Sequence, residues 1–424
     1  MINVFKELIV SFRDYRIKPC IPRDIDIPLK SSKIISIIGA RRTGKTYLLF
    51  SLFDRIRKEI SEDRIVYINF EDDRLFGLKI SDLQFLISAY YELYPANREK
   101  TVYFLFDEIQ NVKNWELFVR RIYDTENCRI YLTGSSSKLL SKEIATSLRG
   151  RTISYELFPY SFKEYLKSKG IDAEIYSQKK ISFIKKAFDD YLKKSSFPEL
   201  VNLDSDEMRL SLQEYLNMVI YKDIVERHNV QNVYLIKSLI KFLFSNVSSL
   251  ISINKIYNDF KSQGYTLSKD ILHKYFGYLE DSYSVFMVPI FTKNLKELNR
   301  NPKKIYIIDN GLSGTMNMKF DTGKQFENIA FMHLRRQYKD ISYYKDIQEV
   351  DFVTESRSRM NLINVCYSLK SKETRERELS GLFEALTKLK LKKGTLVTNN
   401  ETEKINKSGK EIEVIPMWKW LLDS

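Results

Sequence analysis

Gly39-Ala40-Arg41-Arg42-Thr43-Gly44-Lys45-Thr46 satisfies the spacing G-x-x-x-x-G-K-[ST] at every fixed position. That spacing serves phosphate chemistry. The glycines allow positive φ and close backbone approach, so successive N–H groups can surround a β-phosphate at a helix N-terminus. Lys45 would reach the β- and γ-phosphates and Thr46 would coordinate Mg²⁺. The run Gly39, Ala40, Arg41, Arg42, Thr43, Gly44, Lys45, Thr46 and Tyr47 is therefore the candidate ATP-binding segment, with Mg²⁺ as its companion ion.

A second piece follows downstream, where Thr101-Val102-Tyr103-Phe104-Leu105-Phe106 ends in Asp107-Glu108. A buried strand that delivers two adjacent carboxylates at its C-terminal end places them beside the ligand crevice of an open α/β sheet. Asp107 suits Mg²⁺ coordination, and Glu108 suits polarising a water for attack on a γ-phosphate. Alone, an apolar run ending in Asp-Glu is common; with the upstream glycine loop it acquires a purpose.

These residues need elements to hold them. Ile34-Ile35-Ser36-Ile37-Ile38 reads as a strand feeding the loop, and Tyr47-Leu48-Leu49-Phe50 opens a helix. Further strand-like runs at 64–70, 101–106, 129–132 and 152–157 alternate with helical patterns, which predicts a parallel α/β sheet. Residues 159–250 read as a helical connector. From 253 a helix, the turn Gly264-Tyr265-Thr266 and a second helix capped by Ser268 form a helix-turn-helix pattern. Two strand-like runs, 283–291 and 304–308, joined by a polar loop, resemble the wing of a winged helix. After a linker at 311–323, the order αβββαβ predicts a separate C-terminal α/β domain.

The segment with both motifs resembles an AAA-type P-loop ATPase core, with 39–46 as Walker A and 104–108 as Walker B. More narrowly, the chain resembles archaeal and bacterial ATPases that fuse this core to a winged-helix region and a restriction-endonuclease-like tail. The residues that carry this are Leu132-Thr133-Gly134-Ser135-Ser136, Leu148-Arg149-Gly150-Arg151, Phe158-Pro159-Tyr160-Ser161-Phe162-Lys163-Glu164-Tyr165, Phe197-Pro198-Glu199 and Tyr221-Lys222-Asp223-Ile224-Val225-Glu226-Arg227. The resemblance implies four parts: the ATPase core at 1–158, the connector at 159–250, a winged helix-turn-helix at 251–312, and the nuclease-like domain at 323–424. It also implies that Ser135, with Thr133 second, senses the γ-phosphate, and that Arg151 rather than Arg149 is an arginine finger. A finger acting between subunits would require a homo-oligomer. Asn69-Phe70-Glu71-Asp72 reads as local turn chemistry.

In the tail, a nuclease of this type needs a Glu on its first helix, an Asp on one strand and Glu-x-Lys on the next. Glu327 and Asp351 match the first two, whereas Leu362-Ile363-Asn364-Val365-Cys366 has Asn and Cys at the third. Two carboxylates could still hold a divalent ion loosely. The expectation is a surviving fold without nuclease chemistry, unless Lys370 or Lys372 replaces the missing cation.

Length and charge bound the partners. The chain has 424 residues, enough for about three domains. Lys and Arg outnumber Asp and Glu, 69 to 55, for a formal charge of +14, which directs attention to a polyanion. Lys293, Lys296, Arg300, Lys303 and Lys304 on the wing suit phosphate contacts, whereas the second helix mixes Lys269, His273 and Lys274 with Asp270, Glu280 and Asp281. A nucleic-acid partner through the winged helix is the leading reading. The alternative is a slow-turnover, ATP-dependent switch or protein-binding module without nucleic acid. The three cysteines and three histidines form no zinc or disulfide pattern. No run is apolar enough for a bilayer span, so a soluble cytoplasmic protein with no membrane partner is expected.

Overall fold

The computed structural model describes residues 1–134, 148–175, 177–315, 320–356 and 359–423. The chain forms two compact units, residues 1–158 and 159–424.

In the first unit five strands, β1 (Ile34–Ile38), β2 (Ile65–Asn69), β3 (Val102–Asp107), β4 (Cys128–Gly134) and β5 (Thr152–Glu156), lie in the order β2-β3-β4-β1-β5. Every neighbouring pair is parallel. The strands read as continuous apolar runs because both faces are covered. Ile34, Ile38, Phe104, Phe106 and Leu132 pack on one face with residues of the helices Ile2–Ser11, Gln84–Leu93 and Trp115–Thr125. Ile35, Ile37, Leu105 and Tyr131 pack on the other with the helix Lys45–Ile56. Register then brings the C-terminal strand ends to one edge: Ile38 pairs with Gly134, Phe106 with Leu132 and Asn69 with Asp107. The two candidate motifs follow β1 and end β3, so both emerge at that edge.

The second unit begins with helices. Ser161 and Glu164 form a reciprocal capping box on Phe162–Ser168, and Gln178–Lys193, Ser205–Met218 and Val233–Ser245 follow. Between the last two, Val219–Glu226 widens into a π-helix. Strands β6 (Leu250–Ile251), β7 (Val285–Val288) and β8 (Lys303–Ile307) form a small sheet in the order β6-β8-β7. Between β6 and β7 lie the helices Ile253–Ser262 and Lys269–Asp281; the Ser268 side chain caps the second, accepting the Ile271 N–H at 3.2 Å. The loop between β7 and β8 departs from expectation by containing a helix, Leu295–Arg300, started by the Asn294 side chain. The segment at 311–323 is not wholly a linker either. It opens as a buried turn of helix, Gly311–Gly314.

That turn is buried because two polar side chains beside it bind the surrounding elements. Asp309 Oδ2 accepts the Ser196 N–H and hydroxyl, each at 2.7 Å, and Oδ1 accepts the Gly311 N–H at 3.0 Å. Asn310 donates to the carbonyls of Leu192 and Gln325, at 2.9 and 3.0 Å. Satisfied on all sides, such groups fix the packing without the cost of unpaired burial.

The chain continues through the helix Thr322–Gln337 into β9 (Ile341–Lys345), β10 (Glu349–Ser356), β11 (Arg359–Val365), β12 (Lys393–Thr398), β13 (Glu403–Lys407) and β14 (Lys410–Pro416). They form one mixed sheet, ordered β13-β14-β12-β11-β10-β9, with the helix Lys372–Lys388 packed against its core. The expected αβββαβ order counts four strands where this sheet has six, and β13, a polar edge strand mostly exposed to solvent, falls in a stretch with no apolar run. Ser408 and Gly409, both at positive φ, turn it tightly into β14.

Candidate functional site

The 39–46 loop is shaped by its glycines and closed by its lysine. Gly39 has φ +150°, and a Cβ there would lie 2.1 Å from the Leu157 carbonyl oxygen, so no side chain fits. Gly44, at φ 91°, turns the chain into the helix Lys45–Ile56. The first N–H groups of that helix carry its positive dipole end. Arg42 adopts φ 62°, and the Thr43 hydroxyl donates to the Ala40 carbonyl at 3.0 Å. Lys45 is 5% exposed, and its Nζ donates to the carbonyls of Gly39 and Ala40 at 3.2 and 2.9 Å. Its ammonium is thus held over the loop's own concave side. This is a donor set suited to an anion of high charge, namely a nucleotide triphosphate.

The carboxylates stand next to it. Asp107 is 1% exposed and accepts hydrogen bonds from three hydroxyls: Tyr67 at 2.9 Å, Thr133 and Thr46. Burial pushes the Asp107 carboxyl up, while the Thr133 and Thr46 hydroxyls act in the opposite sense. Burial and the adjacent Asp107 likewise push the Tyr67 phenol up, so it remains a donor. The Thr46–Asp107 pair offers oxygen ligands of the hard type that Mg²⁺ takes. Glu108 follows in a left-handed conformation at φ 51°, and its N–H donates to the Thr133 hydroxyl oxygen at 3.0 Å. Thr133 therefore bridges the two acidic residues. Ser135 lies outside the described residues.

Two residues outside both motifs join the acidic edge, one of them, Glu71, from the run read as turn chemistry. Gln110 donates its amide to the Glu108 carboxylate. Glu71 is pushed up by burial and then by Glu108, with Arg41 acting in the opposite sense, so it belongs to the same group of charges. A third is Arg23, whose guanidinium donates to the carbonyls of Thr43 and Phe158, each at 2.6 Å. It braces the loop from a segment with neither periodicity nor motif, and only the tertiary fold brings it there.

Arg151 occupies the other edge of the sheet. It precedes β5, whose first residue Thr152 pairs with Ile34 at the start of β1. Six residue steps along β1, about 20 Å, separate the level of Arg151 from the edge that carries Gly39 and Asp107. Its guanidinium is held by Asp124 in two bonds of 3.1 Å. Arg149 adopts φ 49° in the turn before it.

The tail shows a different chemistry. Glu327 and Asp351 come together, but the cation between them is Lys304. Its Nζ lies 3.0 Å from Glu327 Oε1, 2.6 Å from Asp351 Oδ1 and 2.8 Å from Glu349 Oε1. Lys304 is thus buried and not on the wing's solvent face. Lys303 lies beside Glu280, whereas Lys293, Lys296 and Arg300 are exposed. Asn364 accepts the Asp351 N–H at 3.0 Å and donates to Glu378, and Cys366 turns its thiol to the Ser368 carbonyl. Burial, and next Asp351, push Glu327 up to about 8, and the Tyr306 hydroxyl donates to it at 2.6 Å. Neither Lys370 nor Lys372 enters this centre: Lys370 is exposed, and Lys372 is 90% exposed beside Glu376.

A parallel five-stranded sheet with a glycine loop after its first strand, a helix at the loop's end and acidic residues at the C-terminal end of its third strand defines a P-loop ATPase core. Residues 31–166 match the model of an "AAA domain", and two further models, each described as a domain of unknown function, match residues 185–323 and 322–420. An uncharacterised protein of Methanocaldococcus jannaschii is 37% identical, over 99% of this chain and 95% of its own length. One of Haemophilus influenzae is 30% identical, over 93% and 96%. The chain belongs to this family of archaeal and bacterial proteins, which carries an AAA-type P-loop ATPase domain ahead of two other domains. Among solved structures, the Orc1 protein of Aeropyrum pernix in complex with DNA aligns with 74% of this chain and 91% of its own at 11% identity and TM-score 0.32. AMPPCP-bound DnaA of Aquifex aeolicus aligns with 58% and 82% at 15% identity and TM-score 0.26. Among the described residues no helix is long and apolar enough to cross a membrane.

Proposed function

We propose that the chain binds ATP with Mg²⁺ on the 39–46 loop and hydrolyses it, and that the nucleotide state acts on a winged helix-turn-helix arm at 251–312 that contacts nucleic acid. The observation that carries the first half is the linked set Thr46–Asp107–Thr133–Glu108, adjoining the loop that Lys45 closes. In this reading the loop N–H groups and Lys45 hold the β- and γ-phosphates, and Thr46 and Asp107 hold the Mg²⁺ that neutralises them. Thr133 fixes the backbone of Glu108, so that its carboxylate polarises a water for in-line attack. Ser135 is assigned the γ-phosphate contact by position alone.

Support for the second half is the formal charge of +14 together with the exposed Lys269, Lys274, Lys293, Lys296 and Arg300. The deciding experiment is steady-state ATP turnover with and without duplex DNA, RNA and a size-matched polyanion. Stimulation by DNA or RNA and not by the polyanion is the expected result. Equal turnover in all four would instead favour the switch that docks protein, a reading consistent with the mixed charges of the second helix.

Binding should be weakly dependent on sequence and strongly dependent on salt. Each of Lys293→Ala and Lys296→Ala should lower the slope of log affinity against log salt by about one unit. A slope near zero in the parent protein would remove nucleic acid as the partner.

Arg151 can serve as a finger only for a neighbouring copy, because it precedes β5, at the far end of its own sheet. In this reading it leaves Asp124 when the copies associate. Arg151→Ala should keep ATP affinity and lower turnover about 10³-fold. Mixing it with Glu108→Gln should partly restore activity, since hybrid interfaces pair an intact base with an intact arginine. Absence of rescue at every mixing ratio would leave Arg151 as a surface ion pair.

A further inference from the structure

The carboxylate centre of the C-terminal domain is built from three residues of that domain, on two of its elements, and one residue from outside it. Glu327 comes from the helix Thr322–Gln337, and Glu349 and Asp351 from β10. Lys304 comes from β8 of the small sheet, and its side chain is only 3% exposed. A single ammonium makes contacts of 3.0 Å or less to all three carboxylates. The backbone around Asp351 is committed as well, with Oδ2 accepting the Val365 N–H at 2.8 Å. A divalent ion shared by the same oxygens would stand where Nζ stands and would meet the ammonium's charge. Among the described residues, no group of three or more His, Cys, Asp and Glu is arranged to hold a metal. The residues present therefore do not fit the metal that a nuclease-like fold implies.

We propose that this centre is filled by the chain's own cation: Lys304 takes the position a metal would need and fastens the β6-β8-β7 sheet to the six-stranded sheet. The centre is thereby a structural joint and not a hydrolytic one. A buried pair that loses one partner is strongly destabilised, because the remaining charges stay uncompensated. Here the remainder would be three carboxylates on one side of the joint.

The test uses the full chain without nucleotide. The midpoint of thermal unfolding of the 159–424 unit is followed by a fluorophore placed in that unit, and Mn²⁺ uptake is followed by the electron spin resonance signal of the free ion. Wild-type protein should take up no Mn²⁺ that Asp351→Asn abolishes, and Mn²⁺ should leave its midpoint unchanged. Lys304→Met should lower the midpoint by about 10 °C or more. Adding Glu327→Gln and Asp351→Asn to Lys304→Met should recover part of that loss, which simple loss of packing by the lysine stem would not allow. A Lys304→Met midpoint equal to wild type overturns the proposal. So does a wild-type Mn²⁺ site that disappears in Asp351→Asn, and this second result can be read even if Lys304→Met fails to fold.

Discussion

Lys45→Ala protein should fail to retain ATP at concentrations that saturate the parent, while Glu108→Gln protein should bind ATP as the parent does and turn it over about 10²- to 10⁴-fold more slowly. The two losses differ because the residues act at different moments. Lys45 is fixed over the loop that would hold the phosphates, with its ammonium already among the carbonyls of Gly39 and Ala40. Removing it deletes a charge-assisted contact in the bound ground state. Glu108 is positioned through its backbone by Thr133, and its carboxylate is needed only when water attacks. Glutamine keeps the shape and the backbone bond but has no basic oxygen of comparable strength. Fluorescent-nucleotide binding and phosphate release, measured on the same preparations, check the pair. Hydrolysis by Glu108→Gln equal to the parent would remove Glu108 from the base role.

Gly39→Ala should be as damaging as Lys45→Ala for a different reason. The added Cβ would meet the Leu157 carbonyl oxygen at 2.1 Å, and that contact is backbone, so no flexible side chain can move aside. The position also requires φ +150°, where an L-residue is strained. The strand that follows β1 in the sheet order is pinned at the same place, since the Leu157 N–H donates to the Ile38 carbonyl at 2.7 Å. Relief therefore means parting β5 from the loop. A loss of about 3 kcal/mol or more in the denaturant-unfolding free energy of the first unit is expected, together with loss of nucleotide binding. A Gly39→Ala protein that unfolds with the parent and binds ATP would show that the loop does not need Leu157 so close.

The phosphate loop, the paired carboxylates and the parallel sheet were legible in the sequence because each rests on local information. Glycine spacing sets which backbone angles are allowed, and a short β-branched run apolar at both parities, bounded by turn residues, fits a strand covered on both faces. The Ser268 cap was legible for the same reason, since a hydroxyl reaches an N–H three residues on. The tertiary structure decided whatever depends on residues far apart in the chain. Glu71 looked like turn chemistry, yet it stands in the field of Glu108 and Arg41 because β2 lies beside β3. Arg23 carried no signal at all, and its two carbonyl partners lie 20 and 135 residues away. Lys304 shows the limit most sharply. In the sequence it is one basic residue among several near a wing, and its spacing is the same whether it faces water or protein. Only the packing of β8 against the C-terminal sheet puts its ammonium among Glu327, Glu349 and Asp351, where the cost of burying each charge is met by the others.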